Sequence, residues 1–206
     1  LCNCYCNVRM GEKDKQAGMF FDRNHLSSII EEVLRMAQAT RELLLLRHAK
    51  SDWKRAVGSD FERPLSERGA RDAPRVGQWL HRQGPRPDVV LGSPATRARR
   101  TACEVCKMLE FPETHIDWEP QIYDATLGTL LAVLGACRQA PVTLLVGHNP
   151  GLESLLVYLC GADLEQPADG KLLPTAALAR IHLPSEWRAL QAGSGRLVSL
   201  TRPERP

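Results

Sequence analysis

From Leu43 onward the apolar positions fall into two alternating kinds of run. The first is short and nearly unbroken: Leu43 to Leu46, Asp88 to Gly92 and Val142 to Val146, with Thr175 to Ile181 and Arg196 to Leu200 as later candidates. A strand reads as continuously apolar when both of its faces are covered, so these runs predict a mostly parallel sheet between two helical layers. The second kind is longer and spaces its apolar residues by three or four, as an amphipathic helix does. One such run follows Ser66, a good N-cap, and reaches about His81 with Ala70, Ala73, Val76 and Leu80 on its stripe. Ser93 and Pro94 repeat the start signal for a helix striped by Ala98, Ala102, Val105 and Leu109. A third run covers Leu127 to Cys137, and a fourth starts at Asn149 and Pro150 and carries Leu152, Leu155, Leu156 and Leu159. The expected fold is an α/β three-layer sandwich with a mostly parallel central sheet and helices on both faces.

Residues 1–41 read differently. They are polar and Cys-rich at first and then give one amphipathic stretch around Ile29, Ile30, Val33 and Leu34. The expected division is an N-terminal extension over 1–41 and a single domain over 42–206. Met36 is a plausible natural start, which makes residues 1–35 dispensable for function.

Composition narrows the function classes. The chain has 206 residues, 43% hydrophobic and 25% charged, enough for one well-buried core. A net charge of +3, without a basic block, argues against nucleic acid. Charges interrupt every apolar run before the roughly 18 residues of a membrane helix. Asp22, Arg23 and His25 break the one candidate for a secretory signal, so a cytoplasmic protein is expected. The seven cysteines suit neither a disulfide framework nor paired zinc knuckles. Cys103 and Cys106 read as core packing on one helix face, and Cys2, Cys4 and Cys6 lack a fourth ligand. No metal and no other cofactor is expected.

Three predicted strand ends deliver polar, mostly cationic residues to the rim where an open α/β sheet places its ligands: Arg47 with His48, Ser93 with Arg97, and His148. Each alone suits a structural role. Together they suit a phosphoryl group, whose transfer spreads negative charge over three oxygens and needs fixed donors around them. Arg47 and Arg97 offer planar forks of N–H groups, helix starts after Ser93 and Asn149 offer backbone N–H groups, and a protonated His148 would add another donor. His48 at the centre is the candidate nucleophile, one nitrogen attacking phosphorus while a backbone carbonyl holds the other.

These residues resemble a known family. Leu44-Leu45-Leu46-Arg47-His48-Ala49 is similar to the strand and RHG motif of the histidine phosphatase superfamily, Ser93-Pro94-Ala95-Thr96-Arg97-Ala98 to its second-arginine motif, and Val146-Gly147-His148-Asn149-Pro150 to its second histidine. The run Arg47 to Trp53, then Arg63-Pro64-Leu65-Ser66-Glu67-Arg68-Gly69 and Leu173-Pro174-Thr175, resembles the SixA-type phosphohistidine phosphatases, over Leu43 to about Pro203. The resemblance implies transient phosphorylation of His48, phosphoryl binding by Arg47, Arg97 and His148, and no metal. Ser51, in the first run, is counted with the binding residues. Ala49 in place of Gly, and Asn149 after the second histidine, read as marks of the SixA-like branch.

The general acid is the open position. Asp124 is favoured over Glu119, although it reads equally well as a charge at a helix start, and the absence of any firm acid is the third alternative. An alkoxide leaving group needs a proton whereas the nitrogen of phosphohistidine leaves readily, which tilts the substrate toward phosphohistidine. One helix and one strand between Asp124 and His148 leave no room for a large cap, so the site should admit a protein side chain. Asp60 and Arg63 read as ties of the loop before the first helix or as rim contacts. Trp53 reads as packing or as a pocket wall. Hydrolysis of phosphohistidine on a protein such as a histidine phosphotransfer domain is the leading expectation. A phosphomonoesterase for small phosphate esters and a non-catalytic phosphoprotein-binding module are the alternatives.

Overall fold

Leu43, Leu44, Leu45 and Leu46 are all fully buried, and they alternate between two separate cores. Leu43 and Leu45 face one side of strand β1 (Thr40–Arg47) and Leu44 and Leu46 the other, which is why the run reads as unbroken. The computed structural model describes residues 40–54, 58–162, 164 and 170–202. The expectations about the extension, its helix, its cysteines and a start at Met36 lie outside the described residues.

After β1 come helix α1 (Glu67–Gln83), strand β2 (Val89–Gly92), helix α2 (Thr96–Met108), strand β3 (Ile116–Trp118), helix α3 (Leu127–Ala136), strand β4 (Val142–Gly147), helix α4 (Gly151–Cys160) and the strands β5 (Leu178–Pro184) and β6 (Arg196–Thr201). They form a six-stranded sheet in the order β3-β2-β4-β1-β5-β6. The pairs β2 with β3, β2 with β4 and β1 with β4 are parallel, whereas β5 runs antiparallel to β1 and to β6. The sheet is thus parallel through its helix-covered part and closes on an antiparallel hairpin.

Ala73, Val76 and Leu80 of α1 and Ala98, Ala102 and Val105 of α2 cover one face. Leu130, Val133 and Leu134 of α3 and Leu152, Leu155, Leu156 and Leu159 of α4 cover the other. Each fully buried leucine contributes about 1.5–3 kcal/mol relative to an exposed one, so both layers are bound tightly to β1 and β4. Gly77 allows a close approach between α1 and α2, since a Cβ there would lie 2.7 Å from the Met108 Cβ and 2.8 Å from the Val105 carbonyl oxygen.

Ser66 caps α1 as expected, its hydroxyl accepting the Gly69 N–H at 3.2 Å. The other two start signals are displaced. Helix α2 begins at Thr96 after Ala95, with no side-chain cap, and α4 begins at Gly151 after Pro150. Strand β5 begins at Leu178 rather than Thr175, because Pro174 to Ala177 forms a turn in which Ala176 has a left-handed φ of 60°. Cys106 is buried, as core packing predicts, while Cys103 is only partly buried and donates to Glu113; both are free thiols. Among the described residues no helix is long and apolar enough to cross a membrane.

Candidate active site

The parallel register sets the site. Leu46 lies opposite Val146, Arg47 opposite Gly147, and Gly92 opposite Val146, so β1, β2 and β4 end side by side. His48, Ser93 and His148 follow those ends directly, and Arg97 stands in the first turn of α2. The expected residues therefore meet at one rim, all of them largely buried except Arg47, which is partly so.

His48 is held as the residue types suggested. Its Nδ1 lies 2.7 Å from the Ala49 carbonyl oxygen, which can only accept, so Nδ1 carries the hydrogen. Nε2 keeps its lone pair and receives the Arg97 Nε–H at 3.3 Å. Burial pushes the His48 pKa down to about 4; the Ala49 carbonyl opposes the shift, and Arg97, Arg47 and Arg63 reinforce it. The imidazole is neutral at pH 7.

His148 stacks obliquely on it, with ring centroids 5.0 Å apart, and its Nε2 lies 2.8 Å from the Ser93 hydroxyl. Burial, followed by His48 and Arg97, pushes its pKa to about 3. The protonated His148 considered from the sequence is therefore not the form of the unliganded site. Ser93 holds this ring instead of capping a helix. Asn149 likewise donates to the Leu173 carbonyl at 3.0 Å, and that carbonyl also receives Arg47 Nη1 at 2.9 Å. Glu153 accepts the Leu173 N–H at 2.9 Å, so the Leu173-Pro174-Thr175 segment serves to position Arg47.

Arg97 is fixed on three sides. Besides its contact with His48, its Nη1 donates to the Asp60 carbonyl at 2.6 Å and its Nη2 to the Asp60 carboxylate at 2.9 Å. The other carboxylate oxygen of Asp60 pairs with Arg63 Nη2 at 2.5 Å, and the Tyr123 hydroxyl donates to Asp60 at 3.2 Å. Burial pulls the Asp60 carboxyl up, but Arg97, Arg63 and the Tyr123 hydroxyl outweigh it and hold the group below the usual carboxylate range. Tyr123 also meets His148 edge-on at 5.5 Å between ring centres.

Asp60 and Arg63, read from the sequence either as loop ties or as rim contacts, stand at this rim because the loop after β1 folds back to Arg97. Tyr123 was not among the expected site residues. Trp53 does not pack in a core; it is 71% exposed and lies under the Arg63 guanidinium. Ser51 is buried and pairs through its backbone with Leu65, and no hydrogen bond joins its hydroxyl to the cluster among the described residues. Glu119 uses its carboxylate on the N–H of Gln121 at 3.0 Å. Asp124 is exposed, has a left-handed φ of 52°, and makes no hydrogen bond or ion pair among the described residues.

The arrangement leaves donors free. Of the buried side-chain polar atoms without a partner among the described residues, Arg47 Nε, Arg63 Nε and Arg63 Nη1 are donors of this cluster, and His148 Nδ1 and the acceptor Asn149 Oδ1 belong to it as well. Each such donor costs about 1–3 kcal/mol when left dry and unpaired, and an oxyanion can satisfy several at once. Chemically, the site can receive a phosphoryl group beside a neutral, oriented imidazole.

Comparison with known proteins follows the same lines. The model of the histidine phosphatase superfamily (branch 1) matches residues 43–131. An uncharacterized protein of Mycobacterium tuberculosis is 31% identical over 163 residues, which are 77% of this chain and 99% of that protein. Among solved structures, a candidate phosphohistidine phosphatase SixA from Agrobacterium tumefaciens is 29% identical with a TM-score of 0.67, covering 80% of this chain and 99% of its own. Its counterpart from Nakamurella multipartitia is 25% identical with a TM-score of 0.68, covering 80% and 96%.

Proposed function

The chain belongs to the histidine phosphatase superfamily and is of its SixA type, and from that premise we propose that it hydrolyses phosphohistidine on a protein by way of a phosphorylated His48. The supporting observation is the state of His48: neutral, tethered through Nδ1–H to the Ala49 carbonyl, with Nε2 directed among guanidinium groups.

In this reading the Nε2 lone pair attacks phosphorus in line as the bond from phosphorus to the substrate nitrogen breaks. Phosphorylation at Nε2 with hydrogen on Nδ1 makes the ring cationic, and the Ala49 carbonyl stabilises that charge. Arg47 and Arg97 donate to the non-bridging oxygens, and the incoming negative charge raises the basicity of His148 so that it can join them. Water then attacks the phosphoryl group, releases orthophosphate and returns the electron pair to Nε2. Asp124, next to Tyr123 in the chain, supplies a proton where the leaving group demands one.

Phosphohistidine suits the site because its leaving nitrogen needs little acid help, and the carboxylate at the rim, Asp60, is held ionised rather than protonated. The description of the Agrobacterium and Nakamurella proteins as candidate phosphohistidine phosphatases points the same way. The activity resides in residues 42–206, acts in the cytoplasm on a phosphoprotein such as a histidine phosphotransfer domain, and survives in a chain starting at Met36.

The test is rapid quenching of a reaction with a labelled phosphohistidine protein. Label that is acid-labile, alkali-stable and mapped to His48 is expected, and none in His48→Ala. Label on Ser51 or a cysteine overturns the mechanism. A panel adding phosphoserine, phosphotyrosine and sugar phosphates decides the substrate: faster turnover of small esters makes the protein a phosphomonoesterase, and binding without release makes it a phosphoprotein-binding module.

A further inference from the structure

Arg63 lies in the loop between β1 and α1 and is only 8% exposed, an unusual degree of burial for an arginine. Trp53 covers one face of its guanidinium at 3.4 Å. Its Nη2 is paired with Asp60. Its Nε and Nη1 are buried and have no partner among the described residues. An arginine whose only task was to tie the loop would spend its donors on that loop. Here two of the three nitrogens are dry and free, which is unfavourable until an acceptor arrives.

Asp60 explains how Arg63 is aimed. One carboxylate oxygen holds Arg63 and the other holds Arg97, whose remaining nitrogen faces His48 Nε2. The carboxylate thus buckles the outer edges of two guanidinium groups together. The charge of Arg63 also reaches His48, whose pKa it helps to depress.

We propose that Arg63 is a substrate-binding residue that donates from Nε and Nη1 to the oxygens of the transferred phosphoryl group, with Trp53 as its cover and Asp60 as the clasp that spaces it from Arg97. The assignment rests on the phosphoryl-transfer reading above. It gives the group three guanidinium donors, Arg47, Arg97 and Arg63, for three non-bridging oxygens.

The test is calorimetric titration of the full chain with orthophosphate. Replacing Arg63→Gln should weaken orthophosphate binding by about tenfold to a hundredfold, the range for lost hydrogen bonds to a charged group. Arg63→Lys, which keeps the charge and loses the fork, should fall between Gln and wild type. Arg100→Gln, an exposed arginine of α2, should stay within about twofold, the behaviour of a solvated charge. Arg63→Gln with native circular dichroism and unchanged orthophosphate affinity overturns the proposal. A second measurement needs no folded variant of that kind. In the wild-type protein the Nε–H resonance of Arg63, assigned with Arg63→Lys, should shift on adding orthophosphate together with that of Arg97. A shift of Arg97 with Arg63 unmoved overturns the proposal as well. Absence of label on His48 in the quench experiment would instead remove the reaction mechanism, and the orthophosphate titration would still report whether Arg63 grips an oxyanion.

Discussion

Strand β1 carries a cluster of arginine and histidine at each end. Near its start, Glu42 lies opposite His182 in the antiparallel register with β5. Its two oxygens take Arg180 Nε at 2.9 Å, Arg180 Nη2 at 2.5 Å and His182 Nε2 at 2.8 Å, and Arg196 Nη2 approaches His182 Nδ1 at 2.8 Å. Burial draws the Glu42 carboxyl upward, but the bonds from Arg180 and His182 hold it below its ordinary value. No buried polar atom of this cluster lacks a partner among the described residues. At the far end of β1 the same residue types surround His48, yet one carboxylate, Asp60, serves both Arg97 and Arg63, and buried donors stay unpaired. Arginine and histidine together therefore do not distinguish a structural cluster from a binding site. Completion does: the first cluster satisfies itself, and the second keeps unpaired donors that, on the proposed reading, an anion completes.

The comparison is tested most severely at Arg97. Arg97→Ala removes a fixed donor from the open cluster and should cost about 2.7–4 kcal/mol of transition-state stabilisation, about 10²–10³-fold in kcat. Arg100 on the same helix is exposed and paired with Glu104 at 2.8 Å, so Arg100→Ala should change kcat by less than about twofold. Equal losses at both positions would mean that proximity of positive charge, not an oriented donor, is what matters.

Acidification separates the clusters next. The folded-state pKa values of about 4 for His48 and about 3 for His148 lie below the ordinary value near 6.5. On lowering the pH the unfolded chain takes up these protons first, so stability is intact above about 6.5 and falls toward pH 4 and 3, by up to about 1.4 kcal/mol per pH unit for each ring. Urea unfolding between pH 7 and 4.5 should show this slope, and His148→Gln should flatten it. Ring resonances of His48 that titrate near pH 6.5 would refute the depressed value and with it the buried, neutral imidazole.

A smaller effect is expected at the closed cluster. Glu42→Gln leaves Arg180 and His182 without their shared anion in a half-buried place and should lower the unfolding free energy by about 1–2 kcal/mol. Activity per folded molecule should not change. A matching loss of kcat would show that the closed end of β1 also sets the geometry at the open end, and the two clusters could no longer be treated as independent.

The open cluster was legible where chemistry coincides with a strand end. Arg47, His48 and His148 directly follow β1 and β4, and those strands are visible because Leu43 to Leu46 and Leu144 to Val146 are buried on both faces. Ser93 and Asn149 misled for a physical reason: residues that make good helix caps also make good side-chain hydrogen bonds, and here those bonds go to His148 and the Leu173 carbonyl. Strand β3 escaped notice because it is a three-residue edge strand with Asp117 exposed. Asp60, Arg63 and Tyr123 reach the rim through long-range folding of loops, which no local spacing records.

Asp124 provides the finest test, because its expected effect is the smallest and depends on the substrate. Its carboxyl is exposed and makes no bond to Asp60, Tyr123 or His148, unlike that of Asp60, which pairs with Arg97, Arg63 and Tyr123. If it protonates the leaving group, Asp124→Asn must slow each substrate in proportion to how much the departing atom needs a proton. Alkyl phosphates should fall most, by about tenfold. Aryl phosphates with good leaving groups and phosphohistidine should fall by less than about twofold, so the substitution should sharpen the preference for phosphohistidine. If the residue only adds negative charge ahead of Thr126, the N-cap of α3, the loss should be modest, shared by all substrates, and matched by a drop of about 0.3–1 kcal/mol in stability. Asn tolerates the left-handed backbone at this position as well as Asp does, so strain does not confuse the two outcomes. Measured kcat/KM values across the panel, set against urea unfolding of the same protein, therefore decide whether the open cluster borrows its proton from Asp124 or from water.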